Sequence, residues 1–241
     1  MLMLLYWQQK MYEMYGLSDG SFAGILHGYF SWLQSLCRFD LGTCFTNNRP
    51  VAEVISEKMG VSFAVAFISI VFEYMIAIPL GVTAATHQYS MRDYLTTVFV
   101  MIGISMPSFF FGQILKDVFA MKLDLFPAAG LIDASVDLNF GAMIVDYLRH
   151  LFLPLLTLTI LSIGGTMRYT RTNMLEVLSA DYIRTARAKG VPEGRVISHH
   201  AFRNTLIPLV TIIGGSLPGL FSGALITESQ FAIRGIGFAS Y

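Results

Sequence analysis

The residues best placed to do chemistry lie in one short stretch, "DYIRTARAKGVPEGRVISHHAFRN", residues 181–204. It holds Arg184, Arg187, Lys189, Arg195 and Arg203, against Asp181 and Glu193 only. Such a cluster can bind anionic lipid headgroups or a complementary protein surface. Its middle is small, with Ala186, Ala188 and Gly190. Headgroup binding needs charge but no sharply bent tip. Close docking against another protein uses both features, because small residues let the backbone approach.

Other candidates carry less. Glu73 lies inside an apolar run. An ionisable group there either faces a substrate pathway or is hydrogen-bonded within a helix bundle. His199 and His200 are adjacent, so on a helix they point different ways and make no joint metal site. Cys37 and Cys44 match no zinc spacing. They could pair only on an oxidising side of a membrane. No G-x-x-x-x-G-K-[ST] phosphate loop occurs, so the chain is not itself an ATPase. No nucleophile–base arrangement stands out either. No catalytic residue, metal site or enzyme activity is expected.

The elements that hold these residues are membrane elements. The 241 residues are 54% hydrophobic and 13% charged, and the mean hydropathy is +0.59. Soluble domains carry about 25% charged residues. Four stretches suffice to span a bilayer, which takes about 20 residues: 61–84, 95–115, 151–168 and 206–227. None alternates as a barrel strand would. The fold class is therefore all-α, a polytopic membrane helix bundle. Net charge is zero, which gives no argument for nucleic acid.

Charge orients the spans. The loop 168–205 holds Arg168, Arg171 and the five cations above, and 85–94 holds Arg92. The loop 116–150 holds Asp117, Asp124, Asp133, Asp137 and Asp146, with Lys116, Lys122 and Arg149. Basic loops stay in the cytoplasm. Residues 85–94 and 168–205 are then inside, and 1–60, 116–150 and 228–241 outside. Segment 1–60 reads as an external layer, with helical spacing in "YWQQKMYEMYGL" and "GILHGYFSWLQSL", a turn at "NNRP" and a helix from "PVAEVISEKMG" into the first span. "MLMLLYWQQK" is not a signal peptide, so export of this segment calls for an earlier helix. The expectation is a chain truncated at the front, and also at the back after "GIGFASY".

Within 181–204, Asp181 is placed to cap a short helix through Lys189. Gly190 suits the residue after it, and Pro192 prevents continuation and opens a second helix through "EGRVISHHAF". Gly215, Gly219 and Gly223, spaced by four, would form one small face for close helix contact, within the subunit or with another. Pro79, Pro107 and Pro218 mark kinks. Lys116 and Asp117 end the second span and can snorkel or pair.

The segment "YIRTARAKGV" followed by "HAFRNTLIP" resembles the coupling loop of binding-protein-dependent ABC importer permeases, in the form typical of dipeptide and oligopeptide permeases. "YGL", "FDLG", "IPLGV", "GISMPSFFFG", "LFPAAG" and "GIG" follow in that family's order. Arg184 and Thr185 stand where the general motif has Glu and Ala, while Ala186 and Gly190 match it. The resemblance implies six spans in the complete protein, of which those present correspond to the second to fifth, and a permease domain over 61–241 with its coupling loop at about 169–205. It implies that Arg184, Thr185, Ala186, Arg187, Ala188, Lys189, Gly190 and Val191 dock into a cytoplasmic ATP-binding subunit. The partners it implies are a second permease, two ATP-binding subunits and an external solute-binding protein. This chain would hold no cofactor, since ATP and Mg are bound by those partner subunits. The setting it implies is the bacterial inner membrane, and the cargo is peptide. Nickel or another small solute is the alternative cargo, and an ion-coupled secondary transporter or a non-transporting membrane scaffold are the rival readings.

Overall fold

Hydropathy sets where the helices are, and glycine sets how closely they meet. The computed structural model describes residues 22–44, 48–133 and 139–239. The predicted helix in "YWQQKMYEMYGL" lies outside these residues, as does Asn47 of "NNRP". The chain divides into two compact units, Met1–Lys58 and Met59–Tyr241.

In the first unit, helix α1 (Phe22–Cys37) forms where apolar spacing predicted it. An isolated antiparallel bridge, Thr43 to Pro50, closes the turn at Asn48, whose φ is +54°. Among the described residues there is no β-strand. Cys37 and Cys44 are both free thiols.

Among the described residues, three helices are long and apolar enough to cross a membrane: α2 (Val51–Thr86), α5 (Phe140–Leu178) and α7 (Glu193–Phe221). A fourth candidate is the pair α3 (Met91–Ser105) and α4 (Ser108–Lys122), bent by 103°. Lipid offers no partner for a bare N–H or C=O, so the spanning backbone satisfies itself as helix. The expected span 95–115 is thus not one rod. Pro107 lacks an N–H and pushes the residue before it out of the helical region. Met106 is accordingly extended, at φ −93° and ψ 130°. The expected span 206–227 also ends early, at Phe221. Gly223 follows with φ +73°, a conformation that turns the chain into the short helices α8 (Leu225–Gln230) and α9 (Ile236–Ala239).

Helix α5 is the shaft of the second unit. A Cβ on Gly81 of α2 would lie 2.6 Å from Thr170 Cβ and 2.8 Å from the Met167 carbonyl. A Cβ on Gly164 of α5 would lie 2.5 Å from Ile104 Cγ1 and 3.1 Å from Val100 Cγ1 of α3. Both seams depend on glycine, as close helix contacts in membranes do. Threonines line the shaft and are spent inwardly. Thr157 and Thr170 donate to carbonyls one turn back, each at 2.8 Å. Thr166 donates to Glu73 of α2. Apolar clusters close the two ends. One gathers Leu115, Leu151, Leu153, Phe231 and Ile233, and the other Ala85, Met174, Ile183, Val196 and Ala201.

The glycine seam makes a matched pair of variants informative. Gly164→Leu should destabilise the folded bundle by about 1–3 kcal/mol, because α3 has to move away. Gly165→Leu should be close to neutral, since a Cβ there meets nothing within 4 Å. Thermal unfolding of the two variants in one detergent checks the difference. Equal midpoints would contradict the close approach of α3 to α5.

Candidate functional site: the basic corner

Two residues after α5, the chain folds into α6 (Asp181–Ala188). The first residue is not the cap: Ala180 holds the N-cap position and Asp181 opens the helix. There its carboxylate suits the positive end of the helix dipole. The far end closes as predicted. Gly190 is left-handed at φ +75°. Its N–H donates to the Arg187 carbonyl at 2.9 Å, and the Val191 N–H to the Ala186 carbonyl at 3.2 Å. These two bonds are the Schellman pattern that satisfies the last carbonyls of a helix. Pro192 then stands one residue before α7 rather than inside its first turn.

The corner is also tied from the side. Arg187 donates from Nε to Glu193 Oε2 at 3.0 Å and from Nη2 to Oε1 at 2.6 Å. This fork spans Gly190 and fixes the angle between α6 and α7. Its hydrogen bond raises the Arg187 pKa still further. Arg187 is thus paired within the chain, while both side chains of the pair stay substantially exposed. Arg184 makes only a loose pair with Asp181, 3.5 Å away, and both are highly exposed.

The eight predicted site residues divide by face. Ile183 and Ala186 are buried against Met174, Val196 and Ala201, and Val191 packs partly on the same cluster. So Ala186 is small because it faces inward, not because it forms the tip. Arg184, Thr185, Arg187, Ala188, Lys189 and Gly190 are exposed. A Cβ on Gly190 would meet nothing within 4 Å. Beside the corner lies a groove of about 650 Å³, lined by His87, Gln88, Arg187 and Glu193 together with apolar side chains such as Leu175 and Ile197.

The remaining candidates separate clearly. Glu73 is half-buried, and its carboxylate is taken by Thr166. An apolar groove of about 500 Å³ runs between α2 and α7, lined by Phe67, Tyr74, Ile78, Ile213 and Leu220 among others, but Glu73 is not part of it. Among the described residues, a Cβ added at Gly215 or Gly219 would meet nothing within 4 Å. Gly223 lies beyond the helix and does not share their face; its Cβ would stand 2.6 Å from the Gly237 nitrogen. His199 and His200 have rings 5.4 Å apart, edge to face. Lys116 donates to the Gln230 carbonyl at 3.1 Å, and Asp117 accepts from Gln113 at 2.7 Å.

Two constellations escaped the reading of the sequence. The first joins Asp93 of α3 to Arg171 of α5, with Nε to Oδ1 and Nη2 to Oδ2 both at 2.9 Å. Ser90 caps the start of α3 by accepting from the Asp93 N–H; this S-x-x-D spacing is a signal the sequence offers for a helix start, and it carries no hint of the partner on α5. The second is Glu228, 1% exposed. It accepts from Ser62 Oγ at 2.8 Å, the Ala224 N–H at 3.1 Å and the Phe238 N–H at 3.1 Å. Ser62 accepts in turn from the Ile236 N–H at 2.8 Å. These neutral donors compensate a buried carboxylate. A Cβ on Gly235 would collide with Ser62 and Glu228, which gives "GIG" its physical reason.

Residues 77–240 match the family described as binding-protein-dependent transport system inner membrane component. The oligopeptide transport system permease protein AppB of Bacillus subtilis is 37% identical over 231 residues, 95% of this chain and 71% of that protein. A putative peptide transport system permease protein of Brucella suis is 37% identical over 206 residues, 86% of this chain and 64% of that one. The oligopeptide transport system permease protein OppB of Haemophilus influenzae is 34% identical over 210 residues, 87% of this chain and 65% of that one. The chain thus spans about two thirds of the length of these relatives. It belongs to the family of binding-protein-dependent transport system inner membrane components.

Proposed function

We propose that this chain is a permease subunit of an ATP-binding-cassette importer that moves di- or oligopeptides across the bacterial inner membrane. The observation that carries the reading is the exposed, clamped corner at Ala188–Gly190, joined to α5 by two residues. A rigid projection on a shaft can pass an applied displacement into the membrane. A lipid-binding loop needs charge but no fixed bend, whereas this corner is closed by Schellman bonds and tied by the Arg187–Glu193 fork. Peptide cargo is supported by the names of the relatives AppB and OppB.

The excess of Arg and Lys around the corner puts that end of the bundle in the cytoplasm. There Arg184, Thr185, Ala188, Lys189 and Gly190 enter a cleft of an ATP-binding subunit, while Ala186 and Val191 brace the corner from behind. Two ATP-binding subunits bind and hydrolyse ATP with Mg, and a second permease completes the pathway. A solute-binding protein delivers peptide to the opposite side, onto segments 1–60 and 116–150. Chemistry stays in the partners, and this chain moves. The ion-coupled alternative leaned on Glu73, whose carboxylate is already bonded to Thr166.

Two results are expected from the full-length protein co-expressed with its ATP-binding subunits. A cysteine at Ala188, in a Cys37→Ser, Cys44→Ser background, should cross-link to the ATP-binding subunit with a short thiol reagent in inverted vesicles. The yield should change with ATP. No cross-link at Ala188 or its neighbours would make the corner a topology anchor. Charge reversal should also discriminate between the cations. Arg184→Glu and Lys189→Glu should weaken recovery of the ATP-binding subunit about tenfold, as expected for mismatched charge at an interface. Arg187→Gln should weaken it less, because Arg187 is turned to Glu193. Equal losses for all three, measured by co-purification, would contradict this division of roles.

A further inference from the structure

Asp93 and Arg171 come from different helices and meet as a bidentate pair. The Asp93 side chain is 7% exposed and that of Arg171 27%. Asp93 also accepts from the Tyr89 N–H at 3.1 Å, and its own N–H donates to Ser90 Oγ at 3.4 Å. One residue thus ties together the start of α3 through its N–H, and the left-handed turn at Tyr89 (φ +63°) and a site on α5 through its carboxylate. Arg171 sits about two helical turns before the end of α5, close to where α6 begins. Further into the bundle the same two helices are held by the Gly164 seam.

We propose that Asp93 and Arg171 are positioning residues for energy coupling: they lock α3 to the α5 shaft, so that displacement of the basic corner carries α3, and through it the α4 arm beyond Pro107. The inference rests on reading residues 181–204 as the coupling segment. Three observations support it. The pair lies between the corner and the membrane interior, on the element that connects them. It is forked, so it fixes rotation and axial register as well as separation. Its position is not one that stability alone requires. A buried ion pair gains little over a well-packed apolar pair, and α3 and α5 already possess a tight apolar seam.

The test uses the full-length protein assembled with its companion permease, ATP-binding subunits and binding protein in proteoliposomes. Asp93→Asn and Arg171→Lys keep side-chain size while breaking the fork, and the double exchange Asp93→Arg with Arg171→Asp restores it reversed. Both single variants should assemble and hydrolyse ATP, yet transport about tenfold less labelled peptide per ATP, within the range seen for residues that carry coupling. The exchange should recover most of that loss. Spin labels on cysteines placed at Leu95 and Tyr182, both exposed and outside the docking residues, give a second readout. Their separation should be the same with and without trapped ATP when the pair is intact, and should change with ATP in Asp93→Asn. Unchanged peptide per ATP in both single variants would overturn the proposal. So would a loss of assembly that matches the loss of transport, which would make the pair a folding clamp. Failure of the underlying reading looks different: the native protein itself would then show no ATP-dependent cross-link at Ala188.

Discussion

Everything in the second unit hangs on how closely α5 can be approached. In lipid, apolar side chains gain nothing by leaving their surroundings for one another, so helices associate through close packing and hydrogen bonds. Helix α5 supplies both. Gly164 admits Ile104 and Val100 of α3, and Gly81 of α2 rests on Thr170 and Met167. Thr166 bonds Glu73, and Arg171 bonds Asp93. Without the two glycine contacts, α2 and α3 would lose the close seams that set their register on α5.

The shaft matters because of what it carries. Two residues beyond Leu178 the chain turns into α6, whose inner face, Ile183 and Ala186, is sealed against Met174 of the shaft and Val196 and Ala201 of α7. The outer face stays open, with Lys189 and Gly190 at the bend. The bend is held from inside by the Schellman bonds and from outside by the Arg187–Glu193 fork. At the other end, Glu228 gathers Ser62 and the backbone around Gly235 into a second fixed point. A bundle pinned at both ends and jointed at Pro107 has few ways to move, which suits a device driven from outside itself.

The sequence made the helices and the corner legible, because both are local. A run of about 20 apolar residues marks a candidate span, though not its course, since 95–115 is broken before Pro107 and 206–227 stops at Phe221; Gly190 followed by Pro192 is a helix end by its own chemistry. What the sequence hid was pairing at a distance. Asp93 and Arg171 are separated by 78 residues, and Ser62 and Glu228 by 166. Neither pair has a spacing rule. The direction of small residues was hidden too. Ala186 and Ala188 look alike in the sequence, yet one seals the corner and the other faces out. Gly223 fitted a four-residue repeat with Gly215 and Gly219, but its backbone serves a turn that ends the helix.

The central claim is that the shape of the corner, rather than its charge alone, transmits work. Gly190→Val tests it most directly. The site has room for a side chain, but φ +75° is a conformation that β-branched residues avoid. The variant therefore alters backbone geometry while leaving every charge in place. The measurement is ATP-driven uptake of a labelled peptide into proteoliposomes holding the assembled transporter. The account predicts that the variant assembles and that its ATP-binding subunits still hydrolyse ATP, while uptake falls to the level without ATP. Full uptake with Gly190→Val would contradict it and return the loop to an electrostatic anchor.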